Sequence, residues 1–376
     1  MKIGITCYPT VGGSGVIATE LGLQLAARGH KIHFIAYDLP LRLDNFHSNV
    51  QFHPVGTNSY PLFNVDPYTL ALSVKMAEVS LEHKLDVLHV HYAIPHATCA
   101  YLTKQLLLGK GERAPKIVTT LHGTDITLIG VDPAYFELAR FSLNNSDGIT
   151  AVSQYLAKET YNVFHLEKEV RVIYNFIDPS VYKPFKDKAL RKTFAKKGEF
   201  LLGHLSNFRP VKRTLDVIDI FEQIVEKVPA KLLMVGEGPD TTLAHRAVMR
   251  RGLSDKVIFL GKQNMVVPIL ACLDLLLMPS EDESFGLAAL EALACGVPVI
   301  GTLKTGLVEV ISEGKNGYLL NIGDTRSMAT KALSLLKNPS RLESFKATAQ
   351  RISHKKFNAD KIVSEYENYY KEVVHG

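Results

Sequence analysis

Residues 2–37, KIGITCYPTVGGSGVIATELGLQLAARGHKIHFIAY, decide the fold. The opening KIGITCY is a short, largely apolar run with β-branched residues, the pattern of a buried strand. Gly12-Gly13-Ser14-Gly15 follows, and glycines allow a tight turn and close approach of the backbone. From about residue 16 to 28 the apolar positions recur at helical spacing until Gly29 stops them. Residues 31–37 then read as a second strand. A strand, a glycine loop, a helix and a strand in that order open a doubly wound parallel sheet.

Working outward, strands fit at 50–54, 86–92, 116–121, 148–152 and 170–174, with helices between them. Residues 175–184, NFIDPSVYKP, are rich in turn formers and read as a hinge. A second set follows, with strands at 200–205, 231–235, 256–260, 273–278 and 297–301. Its helices fit at about 212–227, 240–251, 286–295, 305–313 and 324–336. Alternating strands and helices in both halves imply two α/β layers built on parallel sheets. A chain of 376 residues with 46% hydrophobic content can fill two cores. The last helical pattern, 359–374, carries Ile362, Tyr366, Tyr369, Tyr370 and Val373 at helical spacing and reads as a structural brace. The expected division is residues 1–174, joined by a returning segment 357–376, and residues 175–356.

A net charge of +5 without a dominant Lys/Arg block suits anionic small ligands and speaks against nucleic acid. The cysteines, Cys7, Cys99, Cys272 and Cys295, form no C-x-x-C pair, which speaks against a zinc knuckle or a disulfide framework. No run of 18 apolar residues occurs, so no membrane span is expected. The N-terminus enters a strand directly without a signal-peptide layout, and a cytoplasmic location is expected.

The chemistry concentrates in residues 280–296, SEDESFGLAALEALACG. Glu283 precedes a helix and Glu291 lies about two turns inside it. Two glutamates on a helical segment ordinarily mark a solvated face. Here Ala288, Ala289, Leu290, Ala292, Leu293 and Ala294 make the helix apolar, and buried glutamates are rare unless paired. The N–H groups around Phe285, Gly286 and Leu287 form a seat for phosphate, while carboxylates on either side can bind hydroxyls. An anion flanked by hydroxyl binders describes a nucleotide-sugar.

Other strand ends add to this. Gly13-x-Gly15-x-x-Ala18 fits a dinucleotide fingerprint, with Asp38 where a ribose-binding acid would sit. His89 and His91 share one strand face, and without a carboxylate cluster they read as packed core groups, with Tyr92 or His96 at the strand's mouth. His122, backed by Gly123, ends the next strand and can meet a sugar hydroxyl. Arg209 and Lys212 lie on a strand-to-helix connection and can neutralise a leaving diphosphate. Gly236-Glu237-Gly238-Pro239 is another close-approach loop, and Gln263-Asn264 offers an amide edge for a uracil ring.

Together these residues resemble the retaining GT-B glycosyltransferases of the family-4 type: a glycine-rich first loop, His122, Arg209-x-x-Lys212, Gly236-x-Gly238-Pro239 and Glu283-x7-Glu291. The segments CYPTVGGSG, LHVHYAIPHA, TTLHGTDITLIG, SNFRPVKR and SEDESFGLAALEALACG resemble the branch of that family that opens bacillithiol biosynthesis. The resemblance implies two Rossmann-like doubly wound domains facing a cleft. It implies a UDP-GlcNAc donor on the C-terminal half, an L-malate acceptor on the N-terminal half, retention at the anomeric carbon, and no cofactor or metal. By the same resemblance Glu291 holds the ribose, Glu283 the sugar hydroxyls and His122 the donor sugar. The amides of Phe285 to Leu287, with Arg209 and Lys212, hold the diphosphate. Gly15, Ser206, Asn207, Gly236, Gln263, Asn264 and Ser284 are expected to line the nucleotide-sugar. Ser14, Tyr92, Thr124, Arg140 and Asn175 are expected around the malate, a dianion that needs cations or oriented N–H groups. Asp125 is the nearest candidate nucleophile but lies beyond His122, so same-face displacement is expected, with the leaving phosphate taking the acceptor's proton.

Three readings compete with this one. A family-4 enzyme could use another acceptor, such as an inositol phosphate, a sugar or a lipid. An NAD-dependent dehydrogenase would use the glycine loop and Asp38 but would leave the second half's cations and paired glutamates idle. A non-catalytic two-lobed sugar-binding protein would ordinarily be exported. The oligomeric state, a homo-oligomer included, stays open at this point.

Overall fold

The computed structural model describes residues 1–9, 12–43, 46–56, 67–185 and 187–376. It divides into two compact units, one of Met1–Asn175 with Asp360–Gly376, the other of Phe176–Ala359. The first unit begins β1 (Lys2–Thr6), α1 (Gly13–Ala27), β2 (Lys31–Ala36), β3 (Val50–Pro54), α2 (Tyr68–His83) and β4 (Val87–His91). It continues α3 (Thr98–Gly109), β5 (Lys116–Leu121), α4 (Pro133–Asn144), β6 (Gly148–Ala151), α5 (Gln154–Phe164) and β7 (Val170–Val172). The second unit begins α6 (Lys188–Phe194), β8 (Phe200–Leu205), α7 (Thr214–Val225), β9 (Ala230–Val235), α8 (Thr241–Arg250) and β10 (Val257–Gly261). Then come α9 (Val267–Leu270), β11 (Leu275–Met278), α10 (Leu287–Ala294), β12 (Val299–Thr302), α11 (Leu307–Val310) and β13 (Gly317–Leu320). Helices α12 (Thr325–Leu336), α13 (Pro339–Lys356) and α14 (Ala359–His375) close the chain.

Among the described residues the first sheet runs β3-β2-β1-β4-β5-β6-β7 and the second β10-β9-β8-β11-β12-β13. Adjacent strands pair in parallel in both. The strand order therefore reverses between β1 and β4 in one unit and between β8 and β11 in the other. Open α/β sheets bind ligands beyond the carboxyl ends of the strands at such a reversal. This topology points at the loops after β1, β4, β8 and β11.

Amphipathic helices hold those loops in place. In α7 the residues Thr214, Val217, Ile218, Phe221 and Ile224 are buried, the i, i+3, i+4, i+7 stripe of a core-facing helix. Val217, Ile218, Phe221 and Ile224 join Leu202, Leu232, Met234, Leu275 and Leu277 of the sheet and Met328 and Leu335 of α12 in one core. In the first unit Leu72 and Met76 of α2 and Cys99 and Ala100 of α3 pack on Leu88 and Val90. Helix α14 packs onto the first unit. Its Ile362, Val363, Tyr366 and Tyr370 are buried, and Arg28 binds Glu367 at 2.6 Å and Ser364 at 2.9 Å.

Several elements depart from the sequence expectation. Helix α1 starts at Gly13, three residues early, so Gly13 to Gly15 form its first turn instead of a loop. Strand β13 and helices α6, α9 and α13 are additional to the expected set. The first is four residues long and begins at Gly317 itself, a residue that weakens a strand pattern. The sequence of α13, PSRLESFKATAQRISHKK, is mostly polar, with only Leu342, Phe345, Ala349 and Ser353 buried. Packing against α10 and α12 supplies its stability, as tertiary contacts do for most helices. The connection into α7 is a 3-10 turn, Pro210–Lys212, ahead of a helix that begins at Thr214.

Candidate active site

In the second unit the loops after β8 and β11 are tied together. The Glu281 N–H donates to the Val211 carbonyl at 2.7 Å. Lys212 Nζ donates to Glu283 Oε1 at 2.7 Å, and Ser280 Oγ donates to the same oxygen at 2.9 Å. Both charged side chains are largely shielded, 18% exposed for Lys212 and 11% for Glu283. Thr302 Oγ1 donates to the Ser280 carbonyl at 2.6 Å, and the Gly306 N–H to the Glu283 carbonyl at 2.6 Å. A side chain at Gly306 would place its Cβ 2.3 Å from the Ser284 carbonyl oxygen. Three loops thus orient one ammonium–carboxylate pair. Arg209 is half-buried and forms no ion pair among the described residues, so it is the less compensated cation of this connection.

The start of α10 depends on glycine. Gly286 has φ +89°, and a Cβ there would lie 2.3 Å from Leu307 Cδ2. No side chain caps this N-terminus, so its first N–H groups lack intrahelical acceptors. Phe285 is buried and meets the Phe357 ring edge-on at 5.5 Å, anchoring the turn beneath those amides. Glu291 is 6% exposed and accepts a 2.7 Å hydrogen bond from the Tyr182 hydroxyl. Such a partner is what a buried carboxylate needs.

Ser206, Asn207, Gly236 and Gly238 form one backbone contact. A Cβ at Gly236, whose φ is +115°, would sit 1.8 Å from the Ser206 carbonyl oxygen, and one at Gly238 1.9 Å from that of Asn207. The close approach these glycines permit is therefore to the neighbouring loop. His204 Nδ1 lies 2.9 Å from the Leu277 carbonyl, which only accepts, so Nδ1 carries the proton. Its Nε2 then accepts from Ser206 Oγ at 2.8 Å. Burial holds His204 neutral, with its pKa lowered to about 4. Gln263 donates to the Leu260 carbonyl at 2.6 Å, and Asn264 is exposed beside it.

In the first unit the Tyr92 hydroxyl donates to Ser14 Oγ at 2.5 Å, and the Thr124 side chain also hydrogen-bonds Tyr92. Tyr92 has φ +81°, a strained value for a non-glycine residue. Gly15 is buried in the first turn of α1, its carbonyl accepting from Thr19 Oγ1 at 2.9 Å. Thr10 and Val11 of the preceding loop lie outside the described residues. Ser14, Tyr92 and Thr124 come together. Arg140 stays apart from them, exposed on α4, and no contact among the described residues links it to that group. Asn175 is buried, with an Oδ1 that has no partner among the described residues.

The histidines form an internal chain. Tyr370 Oη lies 2.7 Å from His89 Nδ1, and His89 Nε2 lies 2.6 Å from Thr120 Oγ1. His89 stacks on His91 at 4.5 Å, and His91 Nδ1 lies 2.7 Å from His122 Nε2. His91 Nε2 is buried without a partner among the described residues. A bare lone pair there costs less than an orphaned N–H, so the proton of His91 sits on Nδ1 and points at His122. His122 is thereby held as the Nδ1–H tautomer. Burial lowers the pKa of His122 to about 3, so the ring acts as a neutral hydrogen-bonding group. Asp125 accepts from the Ala93 N–H at 2.7 Å and the His122 N–H at 3.0 Å. Its carboxyl is pushed up to about 6 by burial, against the lowering effect of those N–H groups. With both oxygens so engaged, Asp125 pins two loops.

Asp38 is exposed and accepts from the Leu39 N–H in its own loop. The sequence reading missed Tyr182, Ser280, Thr302 and Gly306. Tyr182 stands in a stretch that reads only as a hinge, Ser280 opens the segment 280–296 without a role read from it, and Thr302 and Gly306 have no motif of their own.

Residues 11–181 match the family model described as Glycosyltransferase Family 4, and residues 185–352 match Glycosyl transferases group 1. The chain is 50% identical over 375 residues to an N-acetyl-alpha-D-glucosaminyl L-malate synthase of Bacillus anthracis, covering 100% of this chain and 97% of that one. A D-inositol 3-phosphate glycosyltransferase of Mycolicibacterium smegmatis is 26% identical, covering 86% of this chain and 79% of that one. Among solved structures, HepE of Anabaena in complex with UDP and glucose matches with TM-score 0.84 at 20% identity, covering 99% of both chains. WaaG, a glycosyltransferase involved in lipopolysaccharide biosynthesis, matches with TM-score 0.74 at 16% identity over 100% of both. With two doubly wound parallel sheets, a family model on each half and a relative half-identical from end to end, the chain belongs to the family-4 glycosyltransferases of GT-B fold.

Proposed function

We propose that this protein transfers N-acetylglucosamine from UDP-GlcNAc to the hydroxyl of L-malate with retention, releasing UDP. The observation that carries this reading is the end-to-end 50% identity to a relative named for that product. The dehydrogenase alternative is not favoured, since the chain matches glycosyltransferase family models on both halves and a glycosyltransferase relative from end to end.

In this reading the second unit takes the donor. Lys212, held by Glu283, and Arg209 face the diphosphate, and the uncapped start of α10 receives phosphate oxygens. Glu291 takes the ribose and Glu283 a sugar hydroxyl. As the glycosidic C–O bond breaks, negative charge gathers on the leaving phosphate, and preoriented cations stabilise that state more than the ground state. The first unit takes the acceptor. The N-terminus of α1 has no side-chain cap and can seat a carboxylate, beside the hydroxyls of Ser14, Tyr92 and Thr124. His122 meets the donor sugar. Because Asp125 is buried and engaged by backbone N–H groups, the acceptor hydroxyl attacks on the face the leaving group departs from, and the leaving phosphate takes its proton.

The test is UDP release from UDP-GlcNAc in the presence of malate, other hydroxy acids or an inositol phosphate. Malate-dependent release of UDP with an α-linked product is expected. Release driven by another acceptor and not by malate would overturn the acceptor assignment.

A further inference from the structure

Away from the strand ends described above, three histidines converge at the edge of the first sheet. His33 stands on β2, His53 on the edge strand β3, and His83 in the last turn of α2. The register pairs Ile35 with His53 and His33 with Gln51, so His33 and His53 project to the same face. His33 Nδ1 and His53 Nε2 are 3.0 Å apart. The His83 ring lies 4.3 Å from that of His33 and 5.2 Å from that of His53. One ring nitrogen of each falls within 4.8 Å of the others. None of the three takes part in the proposed reaction.

We infer that His33, His53 and His83 form a binding site for a divalent ion of the zinc class, clasping the edge strand and α2 to the sheet. Three imidazoles suit Zn2+, Co2+, Ni2+ or Cu2+ and not the oxygen-seeking Mg2+ or Ca2+. Tetrahedral zinc with Zn–N of about 2.0–2.1 Å needs ligand nitrogens roughly 3.3 Å apart; His33 and His53 already stand at 3.0 Å, and the His83 nitrogen lies within 4.8 Å of both. Ligation requires lone pairs, and the site supplies them. Burial, then His83 and His53, lower the pKa of His33 to about 4, and burial and His83 lower that of His53. The proton between His33 and His53 moves to an outer ring nitrogen when the metal takes its place, so binding near neutral pH needs no net proton loss. One carboxylate, Glu82, lies 3.6 Å from His83 Nε2. Lys2, Lys31 and Lys75 contribute positive charge nearby, so affinity must come from coordination and not from field. Three protein ligands leave a fourth position for water.

The experiment uses the full chain after chelator treatment, titrated with Co2+ and followed by its d–d absorption, with Zn2+ competition and a thermal-shift assay. One Co2+ per chain with a tetrahedral spectrum is expected, displaced by Zn2+, with a higher Tm in the loaded protein. Loss of an outer-shell partner alone costs about 10–100-fold in metal affinity. His53→Ala and His83→Ala, at half-buried positions, should therefore each weaken binding by at least about a hundredfold while UDP release stays unchanged. No saturable equivalent in the parent chain, or the same spectrum and affinity in His53→Ala/His83→Ala, would overturn the site. His33 is buried in the sheet, so the test rests on the two half-buried histidines, whose replacement leaves the core intact.

Discussion

The two units share one doubly wound strand order, with a seventh strand added at the edge of the first, yet equip their strand ends differently. Beyond β8 and β11 the side chains are charged: Lys212 on Glu283, Arg209 unpaired among the described residues, and Glu291 on Tyr182. Beyond β1, β4 and β5 they are neutral hydrogen-bonding groups: Ser14, Tyr92, Thr124, His91 and His122, with Asp125 bound to backbone N–H groups. Topology decides where a site can form, and the side chains decide what it handles. On the proposed reading, the preoriented ions of the second unit absorb the charge of a departing diphosphate. On the same reading, the first unit's groups, with their protons fixed in place, aim the acceptor hydroxyl.

That contrast can be broken most directly at Lys212. Lys212→Ala should lower kcat by about 10²–10³, the usual loss for a group that stabilises developing charge, while UDP binding by calorimetry changes far less. Unchanged turnover would remove the charged half of the comparison.

Acid should separate the units next. His33, His89, His96 and His122 of the first unit have pKa values lowered by burial to about 4, 3, 4 and 3, and the second unit has His204 at about 4. A depressed histidine pKa means that below the ordinary 6.5 the unfolded chain binds protons the folded one refuses. Each such group therefore removes about 1.4 kcal/mol of stability per pH unit as pH falls from 6.5 toward its folded value. Asp125 works in the opposite sense. Its raised pKa makes the fold more stable as pH falls from about 6 toward the ordinary 3.8. Four histidines outweigh one aspartate, so hydrogen exchange at pH 5 should rise in Met1–Asn175 well before it rises in Phe176–Ala359. Simultaneous loss of protection in both units would contradict this.

A smaller effect sharpens the neutral half. His91→Leu removes the donor that sets the His122 tautomer. A net hydrogen bond of about 0.5–1.5 kcal/mol predicts a 2–10-fold loss in kcat, with UDP affinity intact. A loss of UDP affinity instead would place His91's effect outside the tautomer. Smallest of all, Tyr370→Phe deletes the hydroxyl on His89 Nδ1 and should lower stability by about 1 kcal/mol, read as a modest fall in Tm with turnover nearly unchanged.

Local pattern carried much of this molecule. The β–glycine loop–α–β opening, the alternation of strands and helices in both halves, and the Glu283-x7-Glu291 spacing are short-range features that period and turn chemistry express directly. The brace α14 was legible for the same reason, through Ile362, Tyr366 and Tyr370 on one face. Where the apolar signal was weak, as in α13, or too short, as in β13, the sequence said little, because contacts made elsewhere stabilise those elements. What only the tertiary structure decided are the pairings. Lys212 meets Glu283 across 71 residues, Tyr182 meets Glu291 across 109, and His33 meets His53 from the neighbouring strand. No spacing rule links such residues. Sheet order brings them together, and at those distances along the chain only packing determines which side chain a charge or a proton will face.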